Sequence, residues 1–153
     1  MFIAGVISGI LISFGLIILL APKLMFTESE SKFDFATTKD MIEKATPEHQ
    51  WSMPHQYDLQ TTMLKHGFKV DPVTVYSVCK PDIAVKVLDG DAHRHISAMM
   101  PCRIAVYEKT DGKTYIARMN TNLLARLLGR EVNAVMGEAG KGAENILESI
   151  IQK

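Results

Sequence analysis

The feature that most restricts how this chain can fold is an uncharged run at its N-terminus. No Asp, Glu, Lys or Arg occurs from Phe2 to Ala21, and Pro22-Lys23 ends the run. A helix of about 20 residues spans roughly 30 Å, the thickness of the hydrocarbon core of a bilayer. The sequence therefore predicts a transmembrane anchor over residues 1–22 and a separate domain over residues 23–153.

A cleaved secretory signal is the alternative interpretation of this run. Signal peptides carry a shorter apolar segment of about 7–15 residues behind a positive charge, and here no Lys or Arg precedes the run. Cleavage after Ala21 would place a proline first, so an uncleaved anchor is favoured. Gly5, Gly9 and Ser13 follow the small-residue spacing of associating membrane helices. The partner hypotheses are therefore the membrane itself, a homodimer, or another protein of the envelope.

Charge excludes one class of partner and leaves the orientation open. The 17 Lys and Arg balance the 17 Asp and Glu, and no basic cluster is present, so nucleic acid is not an expected partner. Lys23 and Lys32 follow the span, which by the positive-inside rule favours a cytoplasmic domain. Two cysteines able to pair favour an oxidising compartment instead. We expect the domain to face the periplasm or exterior, anchored in the cytoplasmic (inner) membrane.

Residues 23–153 alternate between strand-like and helix-like patterns. Strands are predicted over 73–79, 102–108 and 114–119, and the last two are joined by a tight turn at Asp111-Gly112. Helix starts are predicted at Thr37, Asp58 and Pro81, and Gly129 separates two C-terminal helices. This order indicates an α+β fold in which helices cover one face of an antiparallel sheet.

The two cysteines stand at the ends of two predicted strands. Cys79 ends one strand and Cys102 opens the next. If these strands pair antiparallel, the cysteines become neighbours and can form a disulfide. A structural disulfide or a pair of inert buried thiols is the leading interpretation; a redox-active dithiol and a soft-metal site are the alternatives.

The segment between the cysteines is rich in soft ligands. It contains His93, His95, Met99 and Met100. Thiolates and thioethers favour monovalent copper, and imidazole also binds copper, so these residues with the cysteines form a candidate metal site. The competing interpretation is that the histidines are solvated and the methionines pack on the sheet. No cofactor is firmly implied.

A second candidate site lies upstream. Trp51, His55, Tyr57 and Asp58 could line a ligand groove between the sheet and the long C-terminal helix, or form an edge connection with a buried tryptophan. The chain contains no Gly-x-Ser-x-Gly, no His-Glu-x-x-His and no glycine-rich phosphate loop. The sequence therefore favours a binding protein over an enzyme.

Several segments together resemble the DUF302 family, in particular its cysteine-bearing, membrane-anchored members. They are Val78-Cys79-Lys80-Pro81, residues 100–108, the Asp111-Gly112-Lys113 turn and Met119-Asn120. The resemblance implies a fold similar to the TATA-box-binding-protein-like class, with the order β-α-β(4)-α, outside the cytoplasmic membrane. Neither DNA binding nor any activity follows from that fold.

The function expected from the sequence is a membrane-anchored, extracytoplasmic binding or accessory domain of unestablished ligand, with Cys79 and Cys102 in a disulfide. The alternative is a thiol-redox or copper-type metal-handling protein that uses the same two cysteines.

Overall fold

A computed structural model describes residues 2–126 and 128–152, with side chains from residue 9 onward. The helices are α1 (Phe2–Met25), α2 (Phe35–Glu48), α3 (Leu59–Lys65), α4 (Pro81–Leu88), α5 (Thr121–Ala125) and α6 (Arg130–Leu147), with a short 3-10 helix at Arg94–Met99. The strands are β1 (Phe26–Glu30), β2 (Ser52–Asp58), β3 (Val73–Cys79), β4 (Cys102–Glu108) and β5 (Thr114–Met119).

The strands form one antiparallel sheet of five strands in the order β1-β5-β4-β3-β2. This confirms the predicted α+β class. If the short helices α3, α4 and α5 and the 3-10 helix are set aside, the elements after α1 follow one another as β-α-β(4)-α, the order that the family resemblance implies. β1 and β2 form the two edges of the sheet. The three strands predicted from the sequence, β3, β4 and β5, are the central ones.

One face of the sheet forms the main core against α2 and α6. Alternate residues of the central strands point to this inner face, because successive side chains of a strand lie on opposite sides. The fully buried members are Ile42, Tyr76, Val78, Ile104, Val106, Ile116, Ile146, Leu147 and Ile150. The phenol of Tyr76 donates a hydrogen bond of 2.9 Å to Glu43 on α2, which satisfies the one polar atom of this side chain.

A second, smaller core lies where β3 ends and β4 begins. It joins α4, the 3-10 helix, α5 and α6, and its buried members are Val87, Ile96, Ala125, Val132 and Met136. Met99 and Met100 pack against it. This cluster places the two methionines beside the strand ends that carry the cysteines.

The glycine-rich stretch of α6 is explained by close packing rather than by a bend. A Cβ on Gly142 would lie 2.6 Å from Cζ2 of Trp51, and a Cβ on Gly140 would overlap the hydroxyl of Thr121. Both glycines continue one helix that runs without interruption through them. Their missing side chains let α6 approach the tryptophan and α5.

Local structure differs from the sequence prediction at two places. α2 begins at Phe35 rather than at Thr37, because Asp34 accepts a 2.8 Å hydrogen bond from the Thr37 amide and serves as the N-cap. The segment between α4 and β4, for which no helix was predicted, contains the 3-10 helix. The segment directly after α1 is strand β1, which begins at Phe26.

The N-terminal run is helical, as predicted. Its large apolar side chains are exposed over the described part, namely Ile10, Leu11, Ile12, Phe14, Leu16, Ile17, Ile18, Leu19 and Leu20. Within the residues described, no helix meets both the length and the apolarity needed to cross a membrane.

Candidate functional site

The two cysteines are neighbours along the edge of the β3–β4 ladder but are not paired. Val78, not Cys79, lies opposite Cys102. An offset of one residue means that the two cysteines are not a directly opposed pair, although both line the same small cavity described below. Both cysteines are free thiols, so the predicted disulfide is absent from the structure. The expectation required a register that the sequence alone does not specify.

Both thiols are held in the protonated form near neutral pH. Burial raises the pKa of Cys79 and of Cys102, and repulsion from Cys79 raises the pKa of Cys102 further. Such thiols are poor nucleophiles, because the thiolate is the reactive form. A bound cation would reverse this preference by stabilising the thiolates.

The four sulfur-bearing side chains of the predicted soft-metal set come together at one small cavity, which we call the sulfur cavity. It has a volume of about 30 Å³, enough for one ion or water molecule. Cys79, Cys102, Met99 and Met100 all line it. The remaining lining residues are Trp51, Val78, Lys80, Ile83, Ala84, Val87, Pro101, Met136 and Ala139. The structure therefore unites the sulfur members of the predicted soft-metal set.

The histidines of that set lie elsewhere. Nε2 of His93 is 3.0 Å from a carboxylate oxygen of Glu131, and His95 is exposed. Neither lines the sulfur cavity. Among the described residues, no three His, Cys, Asp or Glu side chains are grouped so that they could hold a metal ion.

A larger groove, the α6 groove, opens between the sheet and helices α5 and α6. Its volume is about 250 Å³. It is lined by Thr27, Met99, Cys102, Arg103, Ile104, Arg118, Met119, Asn120, Thr121, Asn122, Met136, Gly140, Ala143 and Glu144. Sulfur and aliphatic side chains form an apolar surface, and an ion pair with several amides and hydroxyls supplies polar groups. Cys102 belongs to both this groove and the sulfur cavity.

The ion pair in the groove is built on an almost fully buried arginine. The side chain of Arg118 is 7% exposed, whereas that of Glu144 is 46% exposed. Nε and Nη2 of Arg118 donate bonds of 2.7 and 2.6 Å to the two oxygens of Glu144, and Nη1 donates to Ser29 at 3.0 Å. Glu144 thus occupies the fork of Arg118 in the bidentate geometry typical of a bound carboxylate.

The upstream candidates divide between both faces of the sheet. Trp51 is buried under α6 and lines the sulfur cavity. His55 and Tyr57 lie on the outer face, opposite to α6, because they pair with Ser77 and Val75 rather than with core residues. Asp58 caps α3, and the amide of Thr61, 2.8 Å away, lowers the pKa of this carboxyl.

Sequence reasoning missed the polar groups of the α6 groove. Arg118 stands at alternate positions with Thr114 and Ile116 in a predicted strand, so the strand period directs it inward. A charged residue at an inward strand position is the signal that identifies it. Glu144 offers no comparable signal, because acidic residues are common on helix surfaces.

Comparison with known proteins agrees with the fold. Residues 27–151 match the family described as a domain of unknown function, DUF302. A crystal structure described as that of an uncharacterized conserved DUF302 protein from Bacillus stearothermophilus is similar, with a TM-score of 0.74. Its sequence is 16% identical, and the match covers 82% of this chain and 98% of that one. At this identity the similarity shows the fold alone. No curated protein matches the chain significantly.

Proposed function

This chain belongs to the DUF302 family, whose description names no activity, and we therefore propose its function from its own cavities. We propose that it is a membrane-anchored binding protein whose small-molecule ligand occupies the α6 groove. The observation that carries the proposal is the joining of an apolar cavity of about 250 Å³ with a buried arginine fork. Ligand sites typically combine an apolar surface with a few orienting polar groups.

The groove favours a ligand with an apolar body and an anionic end. Met119, Met136 and Ala143 offer apolar contacts, and Arg118 offers N–H donors in the geometry that carboxylates match. Glu144 holds this fork in the absence of ligand. Because its side chain is half exposed, it can turn toward solvent when a carboxylate takes its place.

Benzoate is a suitable probe, since it has an apolar ring and a carboxylate. We expect titration of the full chain in detergent micelles to shift the amide NMR signals of Cys102, Arg118 and Ala143. Asn122→Trp places a ring at the exposed mouth of the groove and should abolish the shifts. Asn145→Trp, on α6 outside the groove, is the matched control.

Glu144→Gln separates carboxylate recognition from simple filling of an apolar cavity. If the ligand replaces Glu144, removal of its charge should tighten benzoate binding while leaving benzyl alcohol unchanged. Equal effects of Glu144→Gln on both probes would show that Arg118 does not recognise the carboxylate. Binding that persists in Asn122→Trp would show that the ligand does not occupy the α6 groove.

The membrane anchor is the second part of the proposal, with the domain outside the inner membrane. It is supported by the uncharged sequence from Phe2 to Ala21 and by the exposed apolar side chains of α1. We expect the chain to stay with membranes after an alkaline carbonate wash, and Leu16→Arg with Leu19→Arg to release it. A C-terminal alkaline phosphatase fusion should be active; an inactive fusion would place the domain in the cytoplasm.

The sulfur cavity supports a second candidate function, the handling of monovalent copper. Two thiols and the three thioethers of Met99, Met100 and Met136 surround a space for one ion, which matches the ligand preference of this cation. We expect the purified chain to compete with a copper(I) chelator, and Cys79→Ser and Cys102→Ser each to abolish this competition. Met99→Leu should weaken it, whereas Met63→Leu, on α3, should not. Competition that survives both serine variants would exclude the cysteines as ligands.

A further inference from the structure

Three adjacent strands each contribute one polar side chain to a single row on the outer face of the sheet. His55 on β2 lies opposite Ser77 on β3, and Ser77 lies opposite Arg103 on β4. Residues directly opposite each other in an antiparallel ladder share a face, with Cβ atoms about 4.5–5.5 Å apart. We call these three residues the outer row. Its side chains belong to the face of the sheet opposite to the main core, and Arg103 also borders the α6 groove.

The central member of the outer row has an unused hydroxyl. Ser77 is 0% exposed, and its Oγ is the buried side-chain polar atom for which the described part of the chain supplies no hydrogen-bond partner. Buried hydroxyls are almost always hydrogen-bonded, so such an atom calls for an explanation. The hydroxyl can donate one hydrogen bond and has no acceptor among the residues that the structure describes.

The flanking members are exposed and also lack acidic partners. Among the described residues, neither His55 nor Arg103 forms an ion pair. Both lie against the ring of Tyr57: Cζ of Arg103 is 5.3 Å from its centroid, and the His55 ring is 6.0 Å away. Tyr57 therefore orients both groups over one part of the sheet.

The next row of the face carries no carboxylate that could neutralise these groups. Tyr57 pairs with Val75, and Val75 pairs with Ala105. The acidic residue further along that row, Glu28, is already held by Lys109 at 2.6 Å. The outer row thus combines a guanidinium, an imidazole and a hydroxyl donor with no acceptor of their own.

We propose that the outer row binds an oxyanion of the phosphate class. The guanidinium of Arg103 and a ring N–H of His55 donate to the anion from either side, and the Ser77 hydroxyl donates from below. Because Ser77 is fully covered, the exposed ends of Arg103 and His55 move apart when the anion reaches it. The site shares Arg103 with the lining of the α6 groove, whereas His55 and Ser77 line neither that groove nor the sulfur cavity.

Inorganic phosphate, titrated into the full chain in detergent micelles at constant ionic strength, tests the proposal. We expect saturable NMR shifts centred on Ser77, and a weakening of about tenfold or more in Arg103→Gln, since a charge-assisted hydrogen bond is lost. Arg130→Gln removes an exposed arginine at the start of α6 and should leave binding unchanged. Equal effects of the two variants would overturn the proposal.

Ser77→Ala tests the buried hydroxyl separately. The variant should unfold at a higher temperature than the wild type without phosphate, because an unsatisfied hydroxyl is removed. Phosphate should raise the melting temperature of the wild type and fail to raise that of the variant. An equal rise in both would show that Ser77 does not contact the anion.

The source of the anion is distinguished by a second probe. Phosphatidylcholine vesicles with and without phosphatidic acid present the same group on a membrane surface. Binding of free phosphate that depends on Arg103 identifies a soluble ligand, and binding confined to the phosphatidic acid vesicles identifies a lipid headgroup. Saturable binding to neither probe would overturn the proposal.

Discussion

The contact between Gly142 and Trp51 gives the most direct test of how α6 is seated on the sheet. A Cβ added at Gly142 would lie 2.6 Å from Cζ2 and 3.2 Å from Cε2 of the indole. These atoms belong to a rigid fused ring, and the tryptophan is only 5% exposed. The ring cannot bend away, so in Gly142→Ala either the indole or the helix must move.

Gly137 on the same helix provides a matched control. A Cβ there would meet its nearest neighbour, Oδ1 of Asn122, at 3.7 Å, which is ordinary contact. Alanine is favoured over glycine inside a helix by about 1 kcal/mol, so Gly137→Ala should stabilise the fold by about that amount. Overpacking of a core costs about 1–3 kcal/mol, which should cancel or exceed the same gain in Gly142→Ala. The gain from placing alanine in a helix is common to both variants, so their free energies of unfolding should differ by about 1–3 kcal/mol.

Urea unfolding of the full chain in detergent micelles measures this difference. The midpoints from far-UV circular dichroism give the change in free energy, provided that the slopes agree. Trp51 is the single tryptophan, so the tryptophan fluorescence spectrum reports on the surroundings of this one residue. We expect a red shift in folded Gly142→Ala and none in Gly137→Ala.

Equal stabilisation of both variants, with unchanged fluorescence, would refute the packing argument. Trp51→Leu supplies the remaining test. In that background the second substitution, Gly142→Ala, should become stabilising, because the ring is absent. A double-mutant cycle then gives the coupling between the two positions, and a coupling near zero would also contradict the proposed contact.

Three further predictions concern the ionisable groups. Asp58→Ala should cost about 1 kcal/mol through the lost cap of α3, and Asp58→Asn should keep most of the cap. Because the folded-state pKa of Asp58 is lowered, its charged carboxylate stabilises the fold above the unfolded pKa of about 3.9, and this stabilisation is lost as pH falls through the folded value. Acid unfolding curves of Asp58→Asn should lack this pH-dependent loss of stability. Glu144→Ala should destabilise more than Arg118→Met, since only the former leaves a buried charge unpaired, and identical unfolding midpoints would contradict this. Intact mass measurement after alkylation in urea should find Cys79 and Cys102 both modified; an unmodified chain 2 Da lighter would reveal a disulfide.

The central strands were predictable because their side chains obey a simple period. The strands over 73–79, 102–108 and 114–119 have the predicted bounds, since each buries one face and is followed by a proline, a turn or a helix cap. β2 was less predictable from the sequence. It is an edge strand that contains Pro54, and its pairing is irregular between Ser52 and His55, so the alternation is broken.

The candidate sites were less predictable, because they depend on register. The sequence places Cys79 and Cys102 at adjoining strand ends, yet a shift of one residue decides whether their side chains share a face. The outer row depends on the same register across three strands. The polar residues of the α6 groove come from segments distant in sequence, as Arg118 and Glu144 illustrate. Only the inward position of Arg118 was available as a signal.

Cys102 links the two candidate functions, because it lines both the α6 groove and the sulfur cavity. Met99 and Met136 are also shared, so the two spaces have a common wall. A copper ion held by Cys102 would draw this wall toward the sulfur cavity, and a ligand in the groove would press on it from the other side. Copper(I) affinity should therefore change when benzoate is bound, and by linkage benzoate affinity should change by the same factor. Equal copper affinity with and without saturating benzoate would show that the two sites act independently despite their shared wall.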